Sequence, residues 1–285
     1  MRERLSKPDI LIAPGAYDGL MAKLIEYSGF EAVYLSGAGV SYSTYGTPDL
    51  GLITQTQMTA RIEHMAQATH LPIIVDGDTG YGNAINVRQT VMAFERAGAA
   101  AIQLEDQQFP KRCGHLAGKE LISAAEMVGK IRAACDARRS SDFLIIGRTD
   151  ARSVLGLDAA IERGRAYVEA GADVLFIESP YSVEELEAIA AAFPDVPLMA
   201  NMVEGGKTPL LSASELEAMG YALVIFPNSL TRRFAHAGLS LLAALKSDGT
   251  TASQLNEMMP FTELNALLGI DDYRELERLY LPQGD

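Results

Sequence analysis

The sequence predicts a (β/α)8 barrel with extra C-terminal helices. Three observations carry that prediction. Eight apolar, β-branched runs recur along the chain. Amphipathic stretches separate most of them. The chain has 285 residues, 48% of them hydrophobic, which is enough for one large core. The runs, in order, are ILIAPG, AVYLSG, LPIIVDGD, AAIQLED, FLIIGRTD, DVLFIESP, PLMANMVEG and ALVIFPN. Apolar residues at consecutive positions mean burial on both faces, as in a parallel sheet. Between the runs lie NAINVRQTVMAFERAG, SAAEMVGKIRAACDARR, LDAAIERGRAYVEAG and SVEELEAIAAAF, with apolar residues spaced by three and four as in helices. Gly29, Gly98, Gly171 and Gly220 stand where helix should give way to strand. A doubly wound open sheet is the alternative, but no GxGxxG opens the first unit. After the eighth run the chain continues through LTRRFAHAGLSLLAALKSDG and further helical segments. This extension, about 235–285, exceeds what one barrel needs. It reads as helices that cover the barrel or pack on another subunit. No linker-like or low-complexity segment divides residues 1–285, so a single domain is expected.

Composition narrows the function classes. A net charge of -13 repels phosphate backbones and argues against nucleic acid as a partner. It leaves room for a small anionic substrate, because local charge can oppose net charge. Two cysteines make no disulfide framework and fit a reducing, cytoplasmic setting. The N-terminus has no signal-like apolar region, and no apolar run is long enough to span a bilayer, so no membrane partner is expected.

The ends of the runs carry the chemistry. The third ends DGD, the fourth LED, the fifth GRTD and the sixth IES, and the seventh leads into ANMVEGGKTP. In a barrel these ends converge on the face where such enzymes work. Asp76 and Asp78 are two apart on a strand and point the same way. With Glu105 they form a carboxylate cluster that is costly unless compensated. A hard divalent cation, Mg2+ or Mn2+, would do so; pairing with Arg148 and Lys111 is the alternative. No HxxxH or CxxC suggests zinc. DTGYGN, VEGGKTP and SGAG are glycine-containing turns after strands, able to bring backbone N–H groups to an anion.

The segment KRCGH follows the fourth strand in a long connection, where lids are found. Lys111, Arg112 and His115 flank Cys113, and positive charge favours a thiolate. Such a thiol can act as nucleophile or as proton donor and acceptor. Cys135 falls on an amphipathic helix and reads as packing.

KRCGH after LEDQ, with DGDTGYGN, GRTDA and NMVEGGKTP in this order, resembles the isocitrate lyase/phosphoenolpyruvate mutase superfamily over nearly the whole chain. The nearest likeness is to its short carbon–carbon lyases and phosphonomutase-like members. The resemblance implies a barrel whose C-terminal helix is swapped within a homotetramer. It also implies Mg2+ and a 2-hydroxy or 2-oxo carboxylate substrate. By matching position, Asp76 and Asp78 would hold the metal directly or through water, with Glu105 alongside. Ser36, Gly37 and Ala38 would cradle a pyruvate-like carboxylate, which Arg148 would also bind. Cys113 would be the catalytic acid and Gly114 would offer its N–H. Asp76, His115, Glu178, Asn201, Thr208 and Arg232 complete the implied substrate set, and Tyr34 is a candidate base. The implied reaction cleaves a substituted malate: first 2,3-dimethylmalate, giving propanoate and pyruvate, and second 2-methylisocitrate. Behind these stand a phosphonomutase and a non-catalytic barrel. Phe261 replaces an arginine of the methylisocitrate-cleaving members and argues for a smaller, more apolar substrate, whereas Arg232 matches their second substrate arginine. Pro227 stands where oxaloacetate-hydrolysing relatives have serine. The loop cysteine favours carbon–carbon cleavage over phosphonate chemistry.

Overall fold

The computed structural model describes residues 1–114 and 118–281. Each of the eight apolar runs forms a strand: β1 (Leu11–Ala16), β2 (Val33–Leu35), β3 (Ile73–Asp76), β4 (Ala99–Glu105), β5 (Leu144–Thr149), β6 (Val174–Ile177), β7 (Leu198–Asn201) and β8 (Leu223–Phe226). They form a closed parallel barrel in chain order. Closure comes from β1 pairing with β8, with Leu11 opposite Leu223 and Pro14 opposite Phe226.

Side chains alternate along each strand, so every strand supplies one set to the barrel interior and one to the helices. Leu11, Ala13, Ile74, Ala101, Leu144, Ile146, Val174, Phe176, Met199, Leu223 and Ile225 form the inner cluster. Leu5 and Met1, from a short N-terminal helix (Arg2–Leu5), join it and plug one end. The opposite parity, including Val33, Val75, Ile102, Leu104 and Ile145, packs against the helices.

The helices follow from their boundaries. Asn83 caps Ala84–Ala97 in a capping box, and Ser123 caps Ala124–Ala137. Gly98 and Gly220 end their helices in the left-handed conformation that the sequence suggested. The C-terminal part comprises a helix at Ser229–Asp248, a 3-10 turn at Ala252–Glu257 and helices at Phe261–Leu267 and Ile270–Tyr280. None of these elements buries a residue within its own chain. Among the described residues, no helix is long and apolar enough to cross a membrane.

Phe94 tests the outer layer. It is fully buried on the Ala84–Ala97 helix and meets Tyr81 edge-on, with ring centroids 6.2 Å apart. Phe94→Ala should cost about 3–5 kcal/mol in urea denaturation. A loss below about 1 kcal/mol would mean that this layer is not close-packed.

Candidate active site

The interior column turns from apolar to polar as it nears the C-terminal ends of the strands. Continuing inward parity, Tyr34 lies on β2, Asp76 on β3, Gln103 and Glu105 on β4, Arg148 on β5 and Asn201 on β7, with Glu178 just past β6. Register sets neighbours side by side: Asp76 pairs with Gln103, and Glu105 with Arg148. A cavity of about 60 Å³ opens there. Tyr34, Ser36, Ala38, Asp49, Asp76, Lys111, Cys113, Gly114, Arg148, Glu178 and Asn201 line it, and Val203, Ile225 and Pro227 supply an apolar wall.

One side is built to receive an anion. Ser36 is the N-cap of a helix at Gly37–Tyr45, and its Oγ accepts from Gly39 N at 3.1 Å. The first N–H groups of a helix lack intrahelical partners and face outward along its axis. Ser36 Oγ also donates to Asn228 Oδ1 at 3.2 Å. Gly37 leaves room for the carboxylates: a Cβ there would crowd Asp76 Oδ2 at 2.9 Å and lie 3.5 Å from Asp78 Oδ1.

Charge dominates the rest. Lys111 Nζ bridges Asp49 Oδ1 at 2.6 Å and Asp78 Oδ1 at 2.8 Å. Arg148 forms a bidentate pair with Asp150, at 2.9 and 3.1 Å, and approaches Glu105 at 3.3 Å and Glu178 at 3.5 Å. Lys119 Nζ reaches Asp150 Oδ1 at 2.8 Å. Six carboxylates (Asp49, Asp76, Asp78, Glu105, Asp150 and Glu178) thus meet three cations (Lys111, Lys119 and Arg148), and all nine residues are buried. Burial pushes Asp78 up to about 7 against the pull of Lys111. It likewise raises Glu105 well above the carboxylate range despite Arg148. Burial also opposes ionisation of Asp150, but Arg148 and Lys119 outweigh it and hold that carboxyl at about 2.

The pairing alternative foreseen for the cluster is observed, in part. Lys111 and Arg148 pair with Asp78 and Glu105, but among the described residues Asp76 makes no ion pair and Glu105 Oε1 has no hydrogen-bond partner. Among the same residues, no group of three ligating side chains closes on one point. The arrangement fits a cation that takes one or two carboxylates and fills its other positions with water and substrate oxygen, as Mg2+ does. Asp76 could bind it directly, and Asp78 and Glu105 through water.

Other expected residues fall differently. Lys111 holds its ammonium against the carboxylates of Asp49 and Asp78. Thr208 is buried, its hydroxyl without a partner among the described residues, but does not line the cavity. Arg232 is half exposed, binds Glu204 at 3.2 Å and lies outside the lining, and Phe261 is 82% exposed. The expectation for His115 lies outside the described residues. DTGYGN turns toward helices rather than the cavity: Thr90 binds Gly80 O and Lys130 binds Thr79 O. Cys135 packs on its helix, with Sγ 3.2 Å from Gly171 O. Asp49, Asn228 and Asp150 were not singled out by the sequence. Asp49 sits in GTPDLG, which reads locally as a turn, and only its contact with Lys111 reveals it.

Comparison with known proteins bears on this geometry. A family model described as phosphoenolpyruvate phosphomutase matches residues 1–246. The chain is 51% identical over 280 residues to a 2,3-dimethylmalate lyase of Eubacterium barkeri, covering 98% of this chain and 96% of that protein. It is 47% identical over 275 residues to a 2-methylisocitrate lyase of Aeropyrum pernix, covering 96% and 88%. A solved phosphonopyruvate hydrolase complex with oxalate and Mg2+ superposes with a TM-score of 0.89 at 33% identity, covering 99% and 98%.

The charge excess predicts a pH dependence. A carboxyl whose pKa is raised by folding stabilises the fold fully below its unfolded value, and that contribution is lost as pH rises through the folded value. For Asp78 the window runs from 3.8 to about 7. Protein stripped of divalent ions should therefore lose thermal stability as pH rises through this window, and Asp78→Asn should flatten the slope. Identical slopes in the two proteins would show that Asp78 is not strained by burial.

Proposed function

The chain belongs to the phosphoenolpyruvate phosphomutase family, and from that premise we propose that it is a metal-dependent carbon–carbon lyase. Its proposed reaction splits 2,3-dimethylmalate into propanoate and pyruvate. The observation that carries this proposal is the composition of the cavity. A thiol, a guanidinium and buried carboxylates share its wall with Val203, Ile225 and Pro227. A small dicarboxylate with methyl substituents matches that mixture.

Asp76 would hold Mg2+, or Mn2+, with Asp78 and Glu105 acting through water; the bound ion would polarise the substrate's C2 oxygen and offset the carboxylate excess. The N–H groups of Gly37 and Ala38, with Ser36 and Arg148, take the carboxylate next to C2. Tyr34 faces the hydroxyl. Burial, reinforced by Asp76, raises its pKa well above the usual phenol value, and its hydroxyl donates to Gln103 Oε1 at 3.1 Å. With its one proton committed to Gln103, it stays neutral and helps shape the site rather than serving as the expected base. The hydroxyl proton passes to a carboxylate of the cluster, whose affinity for protons burial has raised. The C2–C3 bond then breaks, C2 becomes the carbonyl of pyruvate, and the electron pair stays on C3 beside its carboxylate. Cys113 gives its proton to C3, completing propanoate.

Within the described lining, no further cation waits for a third carboxylate, since Arg232 is engaged by Glu204 at the exposed mouth. This favours dimethylmalate over methylisocitrate. The same function makes the chain a subunit of a cytoplasmic homotetramer with exchanged C-terminal helices. Helices at Phe261–Leu267 and Ile270–Tyr280 that bury nothing in their own chain support the exchange, and two cysteines that form no disulfide fit the compartment.

A pyruvate-detecting assay over a panel of substituted malates tests the reaction. The expected order is 2,3-dimethylmalate above 2-methylisocitrate by about tenfold or more in kcat/KM, for want of a charge-assisted contact of about 1.5–3 kcal/mol. Equal or better turnover of methylisocitrate would overturn the preference and give Arg232 the third carboxylate. Cys113→Ser, a far weaker acid of similar size, should lower kcat by about 100-fold or more with little change in KM. Near-normal kcat would remove the acid role.

A further inference from the structure

One buried cation beside the cavity has no part in the chemistry described so far. Lys119 lies on the returning arm of the connection after β4. The two arms are zipped at their base: Gln107 bridges to Leu121, and Gln108 N donates to Glu120 O at 2.7 Å. This fixes Lys119 beside the strand ends. Among the described residues its ammonium makes two contacts, one to Asp150 Oδ1 at 2.8 Å and one to the carbonyl oxygen of Gly114.

Asp150 draws its compensation from Lys119 as well as from Arg148. Arg148 already engages both of its carboxylate oxygens. What Lys119 adds besides is the bond to Gly114, the residue that follows Cys113. Three further observations centre on that peptide. A Cβ on Gly114 would lie 2.6 Å from Arg148 Nη2 and 2.7 Å from Glu178 Cγ, so the backbone rests directly on two cavity side chains. Ser179 Oγ lies 3.4 Å from the same carbonyl while bonding Glu178 Oε1 at 2.8 Å. Ser179 holds a positive φ of 58°, a costly conformation for a non-glycine residue that directs its hydroxyl there.

We propose, resting on the lyase function above, that Lys119 is the positioning residue for the catalytic thiol. It clamps the Gly114 carbonyl to Asp150, which is locked to Arg148. The proton-donating Cys113 and the carboxylate-binding Arg148 thereby become parts of one rigid unit. The distance from thiol to C3 is then set by two side-chain bonds rather than by the connection itself. Asp150 serves both sides of this unit, so its loss would disturb Arg148 as well, whereas loss of Lys119 leaves Asp150 paired with Arg148 and acts chiefly on the thiol.

The test compares wild type, Lys119→Met and Lys119→Arg, each in a Cys135→Ser background. Two readouts are taken: steady-state cleavage of the best malate, and the rate of Cys113 alkylation by iodoacetamide without substrate. Lys119→Met should lower kcat by about 100-fold, as misplacement of a reacting group by about 1 Å does, with KM essentially unchanged. Cys113 should alkylate faster once the Gly114 carbonyl is released. Lys119→Arg, which keeps charge and donors, should recover much of both. A residue that only stabilised the fold would shift the melting temperature and leave kcat and alkylation alone, and that result would overturn the proposal. So would a rise in KM equal to the fall in kcat. If wild type cleaves no malate, the lyase function fails on its own. The alkylation rates still decide the clamp: faster in Lys119→Met supports it, and equal rates refute it. Should Lys119→Met not fold, Lys119→Gln, which keeps a donor but loses the charge, is read in the same way.

Discussion

Six carboxylates and three cations buried together at one end of the barrel impose the constraint from which the rest of the site follows. An unpaired buried charge is far more costly than any single apolar contact is favourable. The connections therefore go where their charges are satisfied. Lys111, from the connection after β4, reaches Asp78 after β3 and Asp49 from the segment after β2, tying three parts of the rim into one. Arg148 gathers β4, β5 and the end of β6 through Glu105, Asp150 and Glu178. Among the described residues, the pairing still leaves Asp76 without a cation and Glu105 Oε1 without a donor. That excess of negative charge is why a divalent ion suits the site.

The barrel can carry this load because its lower layers are apolar and closed. Inner side chains such as Leu144, Ile146, Val174 and Phe176 pack below Arg148, whose guanidinium lies 5.3 Å above the Phe176 ring. Such a platform holds polar groups in place without bending. At the rim, Asp78 and Ser179 adopt positive φ. Both are held there by several contacts, as strained residues at functional sites are.

The strands were legible because burial on both faces writes an unbroken apolar run, and each of the eight runs became a strand. Much of the site was legible for a related reason. The inward parity of a strand continues past its apolar part, so Asp76, Glu105 and Arg148 could be placed without seeing the fold. Parity fails where a residue arrives through a turn. Asp49 has no periodic neighbourhood, and Lys119 looks like any solvated lysine until Asp150 and Gly114 are seen beside it. Sequence also names a neighbouring charge without its direction. Lys111 next to Cys113 suggested an activated thiol, and only the fold shows that two buried carboxylates also hold its ammonium. Arg232 shows a related limit, since motif position assigned it to substrate while the single chain leaves it outside the cavity.

The need for a cation is open to direct measurement. Mg2+ titrated into chelator-stripped protein by calorimetry, with no substrate present, reads the charge excess without any assumption about turnover. Binding of a single ion per chain is expected, with uptake weakening as pH falls and Asp78 takes up its proton. A parallel rise in melting temperature should accompany it, since the ion binds only the folded cluster. If Mg2+ at millimolar concentration produced neither heat nor a change in melting temperature, the buried carboxylates would have to be compensated by protons and lysines alone, and the metal-dependent site would be contradicted.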